Sequence, residues 1–262
     1  MAKTILITGG TSGIGLAAAR AFAAENYHVV VISRSQDKVD KTVSDIGNIV
    51  APYDASGRIS GYSADITDAA RLMDVAEQVE ADTGKLDALF ANAGIARFAP
   101  ILETGSDVME AILGTNVMGT FNTLKAFAPL VRDGGSIVVT TSINKDVGMP
   151  MSGAYAASKA AAAALVRVMA AELVGRRVRV NAVSPGPVDT PIYGKLGLPE
   201  EQVEAFAEDM ALRIPMGRFA KPEEIAEVVR FLASDRSAFM TGEEITVDGG
   251  WTSIGPVSLQ GE

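Results

Sequence analysis

The sequence predicts an α/β chain built on a parallel sheet with helices on both faces. Three observations carry that prediction. Short apolar runs alternate with helical segments along the 262 residues. The runs are continuously hydrophobic, as strands covered on both faces are. No internal repeat, low-complexity tract or Pro/Gly/Ser-rich linker divides the chain, so a single domain is expected over 1–262.

The elements follow in order. "KTILIT" (3–8) is a buried strand and "GLAAARAFAAE" (15–25) a helix. "HVVVIS" (28–33) is the second strand, with a polar helix over 35–46 and an exposed link over 47–57. "RISGYSAD" (58–65) is the third strand, and "AARLMDVAEQVEADTG" (69–84) a helix ended by glycine. "LDALFANAG" (86–94) and "GSIVVTTS" (135–142) are further strands with helical material between them. A long helix over 152–174 leads to the strand "VRVNAVSPG" (178–186). Residues 190–215 insert helical sequence between two strands, which suits a substrate lid better than a second domain. "KPEEIAEVV" (221–229) has helix-start grammar, with proline first and acids in the first turn. "EEITVDGG" (243–250) is the last of about seven strands.

Composition narrows the function classes. The chain has 48% hydrophobic and 21% charged residues and is long enough to need no staples. It has no cysteine and one histidine, His28. Disulfides, thiolate metal sites and cysteine nucleophiles are excluded, and a multi-histidine metal site or a serine–histidine hydrolase is disfavoured. The segment "SGAYAASKAA" (152–161) also offers no S-x-x-K arrangement for an acyl hydrolase, because Ser158 directly precedes Lys159 and Ser152 lies seven positions before it. The net charge of −9, with no clustered basic run, argues against nucleic acid or anionic lipid as partners. The first residues enter an apolar run and then glycines without a signal-peptide cleavage region, so a cytoplasmic, non-membrane protein is expected.

The first strand runs straight into "TGGTSGIGLAAA" (8–19). Gly13-Ile14-Gly15-Leu16-Ala17-Ala18 fits G-x-G-x-x-G/A between a strand and a helix. There a tight turn brings backbone N–H groups and the helix N-terminus onto a pyrophosphate. The loop residues Gly9, Thr11, Ser12, Gly13, Ile14 and Gly15 are the candidate phosphate cradle. About 20 residues on, a carboxylate would favour NAD and an arginine NADP. The second strand ends in Ser33 and Arg34 with no acid, and a guanidinium can grip a 2′-phosphate bidentately. NADP(H) is favoured and NAD(H) stays possible, since the glycine loop carries no second cation.

One segment, "SGAYAASKAA" (152–161), sets Tyr155 and Lys159 one helical turn apart among small residues. With "TGGTSGIG" (8–15), "NAG" (92–94), Ser142, "YAASK" (155–159) and "SPGPVDT" (184–190) in this order, the chain resembles the short-chain dehydrogenase/reductase family from about residue 3 to 252. The resemblance implies a doubly wound Rossmann fold. It also implies hydride transfer between a nicotinamide and a carbonyl or alcohol carbon, with Tyr155 as general acid/base. Free tyrosine has a pKa near 10. An ammonium about 4 Å away favours tyrosinate by roughly 4 kcal/mol, and burial opposes that, so a modest net lowering is expected.

The resemblance implies further roles. Lys159 also bonds the nicotinamide ribose, Ser142 hydrogen-bonds the substrate oxygen, and Asn116 in "GTNVMG" holds a water in a proton relay. Asp65 and Ile66 lie near the adenine, although Asp65 serves equally as a cap for the next helix. Asn92, Ala93 and Gly94 pass the adenosine ribose, and Pro185, Gly186, Val188 and Thr190 flank the carboxamide. Ser142, Asn144, Lys145, Val147, Met149, Gly186 and the 190–215 excursion are the expected pocket lining. Lys145 is either an anchor for an acidic substrate or a solvated loop lysine. Met149, Met151, Ile192 and Tyr193 suggest an apolar pocket. Trp251 reads as core or interface, and the alanine-rich 152–174 helix as a self-packing face of a homotetramer or dimer.

The leading reading is an NADP-dependent carbonyl reductase or alcohol dehydrogenase. The alternatives are an NAD-preferring sugar or hydroxy-acid dehydrogenase of the same fold and a non-catalytic dinucleotide sensor. The intact Asn116, Ser142, Tyr155 and Lys159 speak against the sensor.

Overall fold

A computed structural model describes residues 2–50, 58–191 and 200–254. Seven strands form one parallel sheet in the order β3-β2-β1-β4-β5-β6-β7. They are β1 (Thr4–Thr8), β2 (His28–Ser33), β3 (Ile59–Ser63), β4 (Leu86–Ala91), β5 (Val131–Thr140), β6 (Arg179–Pro185) and β7 (Glu244–Val247). Every strand pair is parallel, with Ile5 opposite Val29 on one side of β1 and Ala88 on the other.

Successive strand residues point to opposite faces, and the core divides accordingly. Ile5, Ile7, Val29, Val31 and Phe90 pack beneath α1 (Gly13–Ala24) and α8 (Pro222–Ala233). Leu6, Val30, Ile32 and Leu89 pack beneath α3 (Ala69–Thr83), α5 (Gly119–Phe127) and α6 (Gly153–Leu173). Both faces of β1 are therefore dry, which explains its unbroken apolar run. Two local rules hold at the helix starts. Asp68 caps α3 by accepting from Arg71 N at 2.9 Å. The α8 start combines Pro222 with a Glu224 carboxylate that accepts from Lys221 N at 2.7 Å.

The expected boundaries shift in several places. The polar helix α2 (Gln36–Val50) runs past the predicted end at 46. Its turns continue because Ile46 is fully buried against the sheet. The remainder of the link, 51–57, lies outside the described residues. Strand β4 stops at Ala91, so Asn92, Ala93 and Gly94 are loop residues at its carboxyl end. Strand β5 stops at Thr140, leaving Ser142 to cap a short 3₁₀ turn (Ile143–Lys145). The material between β4 and β5 resolves into α4 (Ser106–Leu113), a π-helical turn (Gly114–Met118) and α5. Of the 190–215 excursion, α7 (Glu200–Arg213) is described, while 192–199, including Ile192 and Tyr193, lie outside the described residues.

The sheet order reverses direction at β1, between β2 on one side and β4 on the other. The carboxyl ends of β1 and β4 thus flank a switch point, where open α/β sheets take their ligands. Among the described residues, no helix is long and apolar enough to cross a membrane.

Candidate active site

The loop after β1 has the shape a pyrophosphate requires. Gly13 sits at φ 50°, in the left-handed region, with Thr190 packed beside it. A Cβ on Gly15 would stand 2.3 Å from the Gly9 carbonyl oxygen, so only glycine lets α1 start this close to the strand. Helix α1 begins without a side-chain cap from Ser12, which leaves its first N–H groups directed at the loop. Across the loop, Thr8 Oγ1 accepts from the N–H groups of Asn92 (3.1 Å) and Ala93 (3.2 Å). Asn92 Nδ2 donates to Thr8 O at 3.2 Å, and Asn92 Oδ1 accepts from Thr140 Oγ1 at 3.0 Å. Asn92 thereby ties the ends of β1, β4 and β5 together. These features fit a dinucleotide: an uncapped helix end for phosphate charge, and a backbone surface that side chains would block.

At the end of β2, Thr11 Oγ1 donates to Ser33 Oγ at 2.9 Å, joining the glycine loop to the second strand. Arg34 is exposed, and its guanidinium lies 3.9 Å from the Asp65 carboxylate. Asp65 accepts from Thr67 N (2.9 Å) and Thr67 Oγ1 (2.8 Å). It therefore shapes a turn, and the helix cap is Asp68, three residues later. Ile66 is buried against Gly119 at the start of α5. Arg34, Asp65 and Ile66 are not among the residues that line the catalytic cleft.

That cleft, about 870 Å³, is lined by Gly9, Asn92, Gly94, Ser142, Tyr155 and Lys159, with further residues from both sides. Helix α6 begins at Gly153 and presents Tyr155 and Lys159 on the same face, next to the ends of β4 and β5. The Tyr155 ring lies 5.9 Å from the Phe98 ring. Lys159 is 5% exposed, and its Nζ donates to the Thr140 carbonyl at 2.9 Å. That nitrogen stands 5.7 Å from the centroid of the Tyr155 ring.

The electrostatics differ from the expected lowering of the phenol pKa. Burial pushes Tyr155 up to about 12, and a hydrogen bond with the Ser142 side chain pulls it back only in part. Burial likewise pulls Lys159 down to about 8. Desolvation outweighs attraction because the ammonium is turned onto the Thr140 carbonyl rather than onto the phenol oxygen.

Asn116 lies at the centre of the π-helical turn and is 1% exposed. Its Oδ1 accepts from Ile95 N (2.8 Å), while its Nδ2 donates to Ile95 O (2.8 Å) and Ser158 Oγ (3.0 Å). Ser158 in turn donates to the Tyr155 carbonyl at 2.7 Å. The carboxamide thus links the β4 exit to helix α6, with both of its N–H groups engaged. The widened turn is what brings a residue from the α4–α5 segment to this position.

Of the expected pocket residues, Ser142, Asn144, Val147, Met149 and Gly186 line the cleft. Lys145 does not. It is neither a solvated lysine nor a substrate anchor, because its side chain is 10% exposed and paired with Glu244 at 2.6 Å and with Asp146. Pro185, Gly186, Val188 and Thr190 form one wall, with Gly186 N bonded to Val247 O at 2.9 Å. Trp251 is half-buried and lines the cleft. The turn carrying it is folded over Asp248, which accepts from Gly250 N and Thr252 N. The 190–215 excursion, expected to border the pocket, supplies Asp209, Met210 and Arg213. Phe98 was not anticipated, and tertiary contact alone brings it to the cleft.

The comparisons with known proteins agree with this geometry. A family model described as Enoyl-(Acyl carrier protein) reductase matches residues 9–252. The chain is 39% identical over 251 residues to the 3-oxoacyl-[acyl-carrier-protein] reductase FabG of Thermotoga maritima, a match covering 95% of this chain and 97% of that protein. Among solved structures, levodione reductase is similar with a TM-score of 0.89 at 28% identity, covering 96% of this chain and 98% of that one. L-sorbose reductase from Gluconobacter frateurii, complexed with NADPH and L-sorbose, gives 0.86 at 27% identity, covering 96% and 97%. The chain belongs to the short-chain dehydrogenase/reductase family, oxidoreductases that act on carbonyl and alcohol groups with a nicotinamide cofactor.

Proposed function

We propose, with membership of that family as the premise, that this chain reduces a ketone or aldehyde with NADPH, or runs the reverse oxidation, and that Tyr155 is its general acid/base. The observation that carries the proposal is the convergence of Ser142, Tyr155 and Lys159 in one cleft with the glycine cradle. The nicotinamide, when bound, supplies or collects the hydride at the carbonyl carbon. The remaining work falls to the side chains. Tyr155, neutral at pH 7 with its pKa near 12, donates its phenolic proton to the oxygen of the carbonyl being reduced. Ser142 donates a hydrogen bond to that same oxygen as charge develops on it. Lys159, still largely protonated at pH 7 with a pKa near 8, holds the positive charge that eases loss of the phenolic proton and bonds the ribose. Asn116 acts as a positioning residue through Ile95 and Ser158.

The exposed Arg34 and the Ser33 hydroxyl support NADP over NAD. The dinucleotide cradle is assigned to Gly9, Thr11, Ser12, Gly13, Ile14 and Gly15. Asp65 and Ile66 are assigned to the adenine end, Asn92, Ala93 and Gly94 to the ribose, and Pro185, Gly186, Val188 and Thr190 to the carboxamide. A second reading, NAD preference, draws on the Asp65 carboxylate 3.9 Å from Arg34, which partly neutralises it. The apolar cleft residues Phe98, Val147, Met149, Met151 and Met210 favour a hydrocarbon-rich carbonyl over a polyol. Within one domain over 1–262, α7 serves as a substrate lid, since Met210 and Arg213 border the cleft. Exposed Met118 in the π-helical turn, Phe121 on α5 and Val168 on α6 favour self-association through this face into a tetramer or dimer, acting in the cytoplasm where the dinucleotide is regenerated. The test is absorbance-monitored turnover of a panel of aldehydes, ketones and sugars with NADPH and NADH. Faster turnover of apolar ketones with NADPH is expected, and no turnover of any carbonyl with either cofactor would remove the proposal.

A further inference from the structure

The 3₁₀ turn that carries Ser142 and Asn144 is held from behind by a charge that neither the cofactor cradle nor the Tyr155–Lys159 pair uses. Glu244 is the first residue of β7, opposite Ala182 of β6. Its two carboxylate oxygens go to different places. Oε1 accepts from the Thr141 hydroxyl, immediately before Ser142. Oε2 pairs with Lys145 Nζ at 2.6 Å, three residues after Ser142. Both side chains are largely enclosed, Lys145 at 10% and Glu244 at 23% exposure, and Asp146 meets the same ammonium from the solvent side. The turn's own bonds at Ser142 are long, with Asn144 N donating to Ser142 Oγ at 3.3 Å and Lys145 N to Ser142 O at 3.3 Å, whereas the flanking backbone bonds are shorter, Thr141 N to Val183 O at 2.9 Å and Asp146 N to Ile143 O at 2.8 Å.

We propose that Glu244 and Lys145 are positioning residues that set the place of the Ser142 hydroxyl by gripping the chain on both sides of it, an inference that rests on the reading of Ser142 as donor to the substrate oxygen. The physical argument is one of register. A largely buried ion pair is a poor source of stability, because desolvation offsets most of the attraction. Its directional bonds instead select one arrangement of the groups around it. Here those groups are Thr141, at the mouth of β5, and Lys145, at the end of the turn. With either grip released, the backbone bonds of Thr141 and Asp146 keep the turn folded, but its side-chain anchor to β7 is lost and Ser142 Oγ shifts from the site where charge develops. Misplacement by about 1 Å costs such a donor up to about 100-fold in rate.

The test is a double-mutant cycle against Ser142. Ser142→Ala should lower kcat by about 100-fold. Glu244→Leu should lower kcat by about 10-fold in the wild-type background and by less than about two-fold when Ser142 is already alanine. NADPH affinity, read by fluorescence titration, should not change. Lys145→Met/Glu244→Leu replaces the pair by apolar side chains. It should melt no lower than wild type while showing the same loss of kcat, which guards against a simple folding defect. Equal losses in both Ser142 backgrounds, an unchanged kcat in Glu244→Leu, or a kcat loss that only tracks a fall in melting temperature would overturn the clamp. Full activity of Ser142→Ala would overturn the reading of Ser142 first and the clamp with it.

Discussion

Lys159→Met separates stability from catalysis in this molecule. Lys159 is 5% exposed on α6, and burial takes its pKa from the ordinary 10.5 down to about 8. A difference of that size corresponds to about 3 kcal/mol of folding free energy. The direction follows from proton binding. Between pH 8 and 10.5 the unfolded lysine keeps its proton while the folded one has lost it, so wild-type stability rises with pH across that window. Below pH 8 both states are charged and the full penalty is present. Methionine has a similar length and no charge to desolvate. It forfeits the charged bond to Thr140 O, which is worth about 2 kcal/mol. The net gain at pH 7 is then about 1 kcal/mol, or roughly 2–4 °C in melting temperature for a chain of this size. Differential scanning calorimetry of both proteins at pH 7, 8.5 and 9.5 measures it. Turnover should be lost at every pH, while the stability advantage shrinks as pH rises. A variant that melts lower than wild type at pH 7, or one whose advantage does not change with pH, would refute the reasoning. Raised phenol pKa values at Tyr27 and Tyr155 act above pH 10 and are common to both proteins.

Four further outcomes are expected. Tyr155→Phe should lower kcat by about 1,000-fold with NADPH binding retained, because only the transferable proton is removed; stopped-flow turnover and a fluorescence titration check it. Arg34→Ala should weaken NADPH by about 10–100-fold, the worth of a charged hydrogen bond, and leave NADH nearly unchanged; a loss common to both dinucleotides would count against Arg34 as the phosphate ligand. For carbonyl reduction, kcat/KM should fall as pH rises through about 8, where Lys159 gives up its charge, and Lys159→Arg should move that limb upward. Gly15→Ala places a methyl group 2.3 Å from a backbone oxygen, so α1 must shift; dinucleotide affinity measured by calorimetry should fall at least about 100-fold.

Much of this molecule is written in short stretches of chain. The strand–glycine–helix opening, the buried strands and the helix starts at Asp68 and Pro222 depend on neighbours within a few residues. Tyr155 and Lys159 share a face because the helix repeat puts them there. The identity of Ser33 and Arg34 at the end of the second strand is likewise local. Chain distance is what hid the rest. Lys145 looked solvated because its partner Glu244 lies in the last strand, and the pair exists only once β7 is laid beside β6. Phe98 and Trp251 reach the cleft from segments whose own patterns carry no mark of it. The full engagement of the Asn116 carboxamide follows from a widened helical turn that periodicity does not register. The direction of the Tyr155 pKa was decided in the same way. Spacing along the helix gave a nearby cation, but only the packed structure says how much water the phenol has lost and that the Lys159 ammonium is turned toward Thr140. Sequence determined which groups sit within a turn of each other, because those distances are set by the backbone. Desolvation and long-range partners were left to tertiary structure, because both are properties of what the rest of the chain places around a group.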